Sequence, residues 1–276
     1  MLVELLGKGG QVCQAAREGK LRCPLIIRPT SEDAITGNVF QALRAIDPRW
    51  WLSQLLNTAL GTRRFRQQIY RGLKIELWRN ARRYPADWLP WNEGSTQVDV
   101  TISWENPATT VFIESKYLAQ LSGRTQGNDG RGDFPADQLI RNIRIGLWET
   151  GWQCEAGLFP VRPRSFAAIV FAPTVGNPLV AKYRTCEQLR AFIPNSKKLC
   201  GLPEQPFVGE ISYGRLSRIL QATHRWMHRS ERQLAADLCE YLRFKLNAAK
   251  EQRGHSAVRS ADPVTNVAGE ILEVRS

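Results

Sequence analysis

The stretch that most constrains the fold is QVDVTISWENPATTVFIESKY, residues 97–117. Two strand-like runs, about 96–104 and 110–117, flank Asn106-Pro107, a pair that signals a turn. Symmetric closure there makes an antiparallel hairpin in which the numbers of facing residues sum to 213. Asp99 then lies opposite Glu114. Side chains alternate along a strand, so Val98, Val100, Ile102 and Trp104 share one face with Val111, Ile113 and Tyr117. Asp99, Thr101, Glu114 and Lys116 fall on the other. A slip of one residue would mix the two faces, and an odd-length loop is the competing register.

Glu114 and Lys116 interrupt the apolar run VFIESKYLAQ. Charges in a buried strand are costly unless paired or used, so a structural ion pair is one reading. Two carboxylates directly opposite each other destabilise a bare sheet, and a divalent cation between them reverses that effect. Hard oxygen ligands on neighbouring strands suit Mg²⁺, or Mn²⁺, with several waters retained. Lys116, two residues on, projects from the same face. It is placed to orient or deprotonate a water, or to stabilise charge developing on phosphorus.

Ser31 reads as the N-cap of a helix over about 32–46, ended by Asp47-Pro48. On a helical wheel Glu32 falls in line with Ile35, Val39, Leu43 and Ile46, on the apolar stripe. Either Glu32 and Asp33 merely complement the helix dipole, or Glu32 reaches the acidic site as a third carboxylate.

The chain has 276 residues, enough for one large domain, and 43% of them are hydrophobic. The longest apolar run, Phe166 to Pro173, is too short to span a bilayer, and the N-terminus does not read as a signal peptide. The expectation is a cytoplasmic protein with no membrane association. A formal charge of +12 points to a polyanionic partner or, more blandly, to solubility. The excess is concentrated in residues 63–83, where eight cations (Arg63, Arg64, Arg66, Arg71, Lys74, Arg79, Arg82 and Arg83) meet one acid and interleave with aromatics. That imbalance suits phosphate contacts. None of the six cysteines forms a CxxC pair, so buried small hydrophobes are their expected role. His224 and His228, four apart on an expected helix, read as surface histidines rather than a metal pair.

A second helix is expected near 50–60 and a strand over 67–80. The Gly-rich stretch 122–135 reads as a loop. An amphipathic helix over 135–150 carries Ala136, Leu139, Ile140, Ile143 and Leu147 on one side. FAAIVFAP, residues 166–173, has the character of a fully buried strand. Helices are expected near 178–193, 213–227 and 230–250, and an irregular tail from Gly254. Residues 1–30 are an N-terminal extension whose GKGG lacks phosphate-loop spacing. The expected class is α/β (α+β): a central mixed sheet flanked by helices, with a core over 31–175 and a helical C-terminal part over 176–253.

Asp99 followed after fourteen residues by Glu114-Ser115-Lys116 resembles the D…(D/E)xK signature of the PD-(D/E)XK nuclease superfamily, whose helix, three strands, helix, strand order also matches. The triplet alone is a weak motif, and Val98 stands where the family name has proline. The resemblance spans about 31–175 and implies a restriction-endonuclease-like core. It implies that Asp99, Glu114 and the Ser115 carbonyl hold the metal and that Lys116 serves catalysis. SEDAITGNVFQAL (31–43) is similar to the first-helix motif of several such families, with Glu32 assisting the metal. DQLIRN (137–142) resembles their Gln-bearing helix and points to Gln138, although the wheel turns Gln138 away from the apolar stripe.

The function these features imply is a Mg²⁺-dependent nuclease acting on DNA, or alternatively on RNA, in bacterial restriction or anti-phage defence. A homodimer or partner subunits would fit such a system. One alternative is a catalytically silent nucleic-acid-binding or assembly subunit. Another treats Glu114 and Lys116 as a structural pair in an unrelated enzyme or membrane-surface protein. No Ser-His-Asp set, nucleotide-binding glycine loop or HExxH supplies other chemistry.

Overall fold

A computed structural model of the chain describes residues 31–89, 91, 94–119, 121, 134–135, 137–154 and 162–259. The first elements are α1 (Glu32–Arg44), α2 (Leu52–Leu60), β1 (Arg71–Asn80), β2 (Gln97–Glu105) and β3 (Thr109–Ser115). They are followed by α3 (Gln138–Glu149), β4 (Ser165–Ala172), α4 (Pro178–Tyr183) and α5 (Cys186–Ala191). The last are β5 (Val208–Ser212), α6 (Tyr213–Thr223) and α7 (Arg229–Arg259). The five strands form one mixed sheet in the order β1-β2-β3-β4-β5. The first three are antiparallel, and β3, β4 and β5 run parallel.

The hairpin closes as its sequence demands. Val100 faces Ile113, Ile102 faces Val111 and Trp104 faces Thr109, all summing to 213. Asp99 and Glu114 occupy the next position beyond the Val100–Ile113 pair, away from the turn.

Helices cover both faces of the sheet. On one face Val100, Ile102, Val111, Ile113, Ile169 and Phe171 pack with α1, α2, α6 and α7. The other face is not the polar one that alternation suggested. Phe112, Phe166, Ala168 and Val170 line it and pack against Leu139, Ile140, Ile143 and Leu147 of α3. Val98 belongs with this second cluster rather than with Val100. Every residue of β3 is therefore buried. This explains why the strand reads as a near-continuous apolar run, since a strand covered on both sides has no wet face to alternate with.

Local signals set the ends of the helices. Ser31 Oγ accepts the Ala34 N–H at 3.1 Å to cap α1. Gly61 ends α2 with φ of 68°, a left-handed conformation that glycine adopts without a Cβ penalty. Gly209 answers a different need: a Cβ there would lie 2.2 Å from the Ala59 carbonyl oxygen, so the contact between α2 and β5 depends on its absence.

Several boundaries differ from expectation. The span 178–193 holds two short helices, because Thr185 is extended and starts a second one. The 213–227 helix stops at Thr223 and passes through a 3₁₀ turn, His224–Trp226. His224 and His228 therefore do not share one helix. β5 was not foreseen, since VGEIS is short and has no clean alternation. The last helix continues past Gly254 to Arg259. The extension 1–30, the loop 122–133 and the tail from 260 lie outside the described residues. Among the described cysteines, Cys239 is buried as expected, but Cys154 and Cys200 are exposed. Among the described residues, no helix is long and apolar enough to cross a membrane.

Candidate active site

The acidic residues meet where β3 ends. Glu114 is the penultimate residue of β3 and is 2% exposed. Its Oε2 accepts a hydrogen bond from Asn142 Nδ2 of α3 at 2.8 Å. Its Oε1 is buried and is met by Lys116 Nζ in an ion pair at 3.0 Å. Asp99 comes from β2, and its Oδ2 accepts the Ser115 N–H at 2.9 Å. Glu32 arrives from the first turn of α1. Its Oε1 lies 3.1 Å from Lys116 Nζ, and its Oε2 accepts the Tyr117 N–H at 3.0 Å. Lys116 is thus shared between a strand carboxylate and a helix carboxylate.

Glu32 reaches this group because α1 packs over the sheet with its apolar stripe inward, and a residue on that stripe in the first turn overhangs the end of β3. The dipole reading of Glu32 does not account for its two contacts. Ser115 faces the opposite way. Its Oγ pairs with Thr36 Oγ1 at 2.7 Å and with the Tyr213 hydroxyl at 2.9 Å. Tyr213, at the start of α6, also donates to the Lys116 carbonyl at 3.0 Å. The main chain after β3 is therefore held by α1 and α6 together.

The electrostatics follow from burial. Burial pushes the Asp99 carboxyl well above the usual carboxylate range, and the charge of Glu114 pushes it further, against the pull of the Ser115 N–H and Lys116. Burial also raises Glu114, partly offset by Lys116, Asp99 and Asn142. For Lys116, burial favours the neutral amine, but Glu114 and Glu32 outweigh it and hold the ammonium above its ordinary value. Two adjacent buried acids that resist ionisation face a cation that resists deprotonation. Lys116 is accordingly held as a charged donor between Glu114 and Glu32.

The donor set fits a magnesium ion in kind: two carboxyl groups, Asp99 and Glu114, on neighbouring strands. Among the described residues, no three His, Cys, Asp or Glu side chains stand together as a metal-binding group. The fit is therefore that of a two-carboxylate site in which waters complete the shell, with Glu32 held at one remove by Lys116.

Gln138 is the first residue of α3 and has no hydrogen bond or ion pair to this group among the described residues. The residue of that helix which reaches the site is Asn142, one turn further on. Asn142 went unnoticed in the sequence, where its only signal is a polar residue flanking the apolar stripe. Thr36 and Tyr213 carried no signal, since only the packing of α1 and α6 brings them to Ser115.

The basic segment 63–83 is not one cationic track. Arg64 is spent on the Glu204 and Pro206 carbonyls at 2.7 and 3.1 Å. Arg79 bridges Glu149 at 2.6 Å and lies 5.4 Å over the Phe112 ring. The Arg82 guanidinium stacks 4.7 Å over Trp148. Lys74 stands in a shallow groove with Glu76, Glu105 and Glu149, where both signs mix. Arg63, Arg66, Arg71 and Arg83 are exposed, and their side chains have no hydrogen bond or ion pair among the described residues.

A polar cleft of about 380 Å³ opens beside Lys116, along the carboxyl ends of β3 and β4, walled by residues of 116–121 and 172–178. No protein-family model, no curated protein and no solved structure matches the chain.

Proposed function

We propose that the chain is a Mg²⁺-dependent nuclease with a restriction-endonuclease-like core, acting on DNA. The observation that carries the reading is the buried Asp99–Glu114 pair with Lys116 shared between Glu114 and Glu32. Such a grouping is an electrostatic cost to the fold, and a divalent cation together with a phosphate would turn it to use. Asp99, Glu114 and the Ser115 carbonyl would hold the ion, with Glu32 in support; Mn²⁺ suits the same oxygens. The ion would supply Lewis-acid polarisation of a phosphoryl oxygen and an activated water.

The chain's own groups have separable tasks. Lys116 stays protonated and offers its N–H donors to the charge that grows on phosphorus. Asn142 orients Glu114, and the Tyr117 N–H orients Glu32, so each carboxylate presents a defined oxygen. Tyr213 and Thr36 fix the strand end that carries Glu114, Lys116 and the Tyr117 N–H. The cleft beside Lys116 gives a phosphodiester access.

The second reading, a silent nucleic-acid-binding or assembly subunit, is favoured by one observation: Lys116 already pairs with both Glu114 and Glu32, so each of these carboxylates has a cationic partner without an ion. A role in bacterial restriction or anti-phage defence rests on the family resemblance alone. So does a homodimer or partner subunits to cut both strands.

The deciding experiment offers plasmid, linear duplex, single-stranded DNA and RNA with Mg²⁺ or Mn²⁺. Cleavage by the parent protein, abolished in both Glu114→Ala and Lys116→Ala, is the expected result. Equal cleavage by both variants sinks the assignment. Salt-sensitive binding with no cleavage under any divalent ion establishes the silent subunit instead.

A further inference from the structure

The carboxyl edge of the sheet holds a second cationic feature, on α6 and α4 rather than on β1. Arg184, Arg215 and Arg218 line one cavity of about 320 Å³ at the carboxyl end of β5, with Ser212 and Thr58 in its wall. All three arginines are exposed. Arg184 places one N–H on the Leu60 carbonyl at 2.8 Å, which holds its head at the cavity. The side chains of Arg215 and Arg218 have no hydrogen bond or ion pair among the described residues, and they project from one side of α6, three apart. A single acid, Glu210, shares the cavity, and its two oxygens are taken by the Gly176 and Asn177 N–H groups at 2.8 and 3.0 Å. The cavity is thus cationic and rich in donors, and its one carboxylate is occupied by the backbone.

Its position matters as much as its charge. β3, β4 and β5 are parallel, so their carboxyl ends share one edge. The cleft beside Lys116 and the arginine cavity have a common wall in Val175, which is 60% exposed. Neighbouring strands lie about 4.8 Å apart, so two strand spacings separate the ends of β3 and β5 by roughly 10 Å. That is about three nucleotides of one strand at a rise of ~3.4 Å.

We propose that the arginine cavity anchors a backbone phosphate of a nucleic-acid strand whose path crosses Val175 from the Lys116 cleft. This rests on the nucleic-acid reading of the Asp99–Glu114 site, but not on its being catalytic. The strand is held at its far end by Arg215 and Arg218, with Arg184 closing the wall. The exposed arginines of segment 63–83 are then peripheral to this path.

The test is the salt dependence of binding. A labelled single-stranded DNA oligonucleotide is titrated with the full chain in EDTA over a range of potassium chloride, for the parent and for Arg215→Gln/Arg218→Gln. Each phosphate contact contributes about 0.7 to the slope of log affinity against log salt, so the double variant, which loses the one anchored phosphate, loses about 0.7 of slope. Near 0.1 M salt this corresponds to roughly 5-fold weaker binding. Arg63→Gln/Arg66→Gln retains the parent slope. Thermal melting keeps the comparison honest, since both arginines are exposed and the variant melts with the parent. An unchanged slope in the Arg215/Arg218 variant, a slope lost equally in the Arg63/Arg66 variant, or a parent that binds no oligonucleotide overturns the anchor. The nuclease reading fails separately, through a parent that shows this arginine-dependent slope yet cleaves nothing with Mg²⁺ or Mn²⁺.

Discussion

Lys116→Met, in metal-free buffer, tests the electrostatic logic of the site directly. The Lys116 side chain is 12% exposed and that of Glu114 1%. Methionine keeps the stem and removes the charge, leaving the Glu114 carboxylate in the interior with Asn142 as its hydrogen-bond donor. Breaking a buried pair by removing one partner costs about 3–5 kcal/mol. An exposed pair would cost under about 1 kcal/mol. At this chain size the larger figure corresponds to roughly 6–20 °C in Tm.

The pH dependence separates the two cases. Without Lys116 the Glu114 carboxyl, already raised by burial, rises further. The folded state then holds a proton that the unfolded state releases above about pH 4.3. Relative stability of the variant therefore falls as pH rises, by up to ~1.4 kcal/mol per pH unit until Glu114 ionises in the fold. Urea unfolding at about pH 5.5 and about pH 8 should show a small deficit at the lower value and the full deficit at the higher. Glu114→Gln should remove most of the cost of Lys116→Met, because no charge remains to strand. A deficit independent of pH, or one below about 0.5 kcal/mol, refutes the buried-pair account.

Three further outcomes follow from the geometry. Asn142→Ala removes a hydrogen bond to a buried carboxylate and should cost about 1.5–3 kcal/mol in denaturant unfolding, whereas Gln138→Ala should be near neutral. Gly209→Ala pushes a methyl into the Ala59 carbonyl and should destabilise by about 1–3 kcal/mol through overpacking, read as a lower urea midpoint at unchanged slope. Ser31→Ala deletes the cap of α1 and should cost about 1 kcal/mol. Because α1 carries Glu32, it should also loosen hydrogen-exchange protection of the Tyr117 amide.

Much of the site was legible because its geometry is local. The Asn106-Pro107 turn and the alternation on either side set the hairpin register, and that register alone brings Asp99 and Glu114 to neighbouring strands. The stripe through Ile35, Val39 and Leu43 placed Glu32 on the buried side of α1. What alternation misjudged was the second face of the sheet. Period two shows where side chains point, not whether a helix covers them, so the packing of α3 on Phe112 and Val170 was invisible. Asn142, Tyr213 and Thr36 reach the site across 28, 98 and 79 residues of sequence. Charge density was equally misleading. The run at 63–83 is dense in the chain, yet Arg64 and Arg79 are turned inward, while Arg184, at the end of α4, converges with Arg215 and Arg218 of α6. Sequence by itself determined the hairpin, its register and the acids that register opposes, because those depend on near neighbours and a two-residue period. Only the tertiary structure decided which side chains compensate those acids and where a cationic cavity forms, because both depend on which distant elements share the carboxyl edge of the sheet.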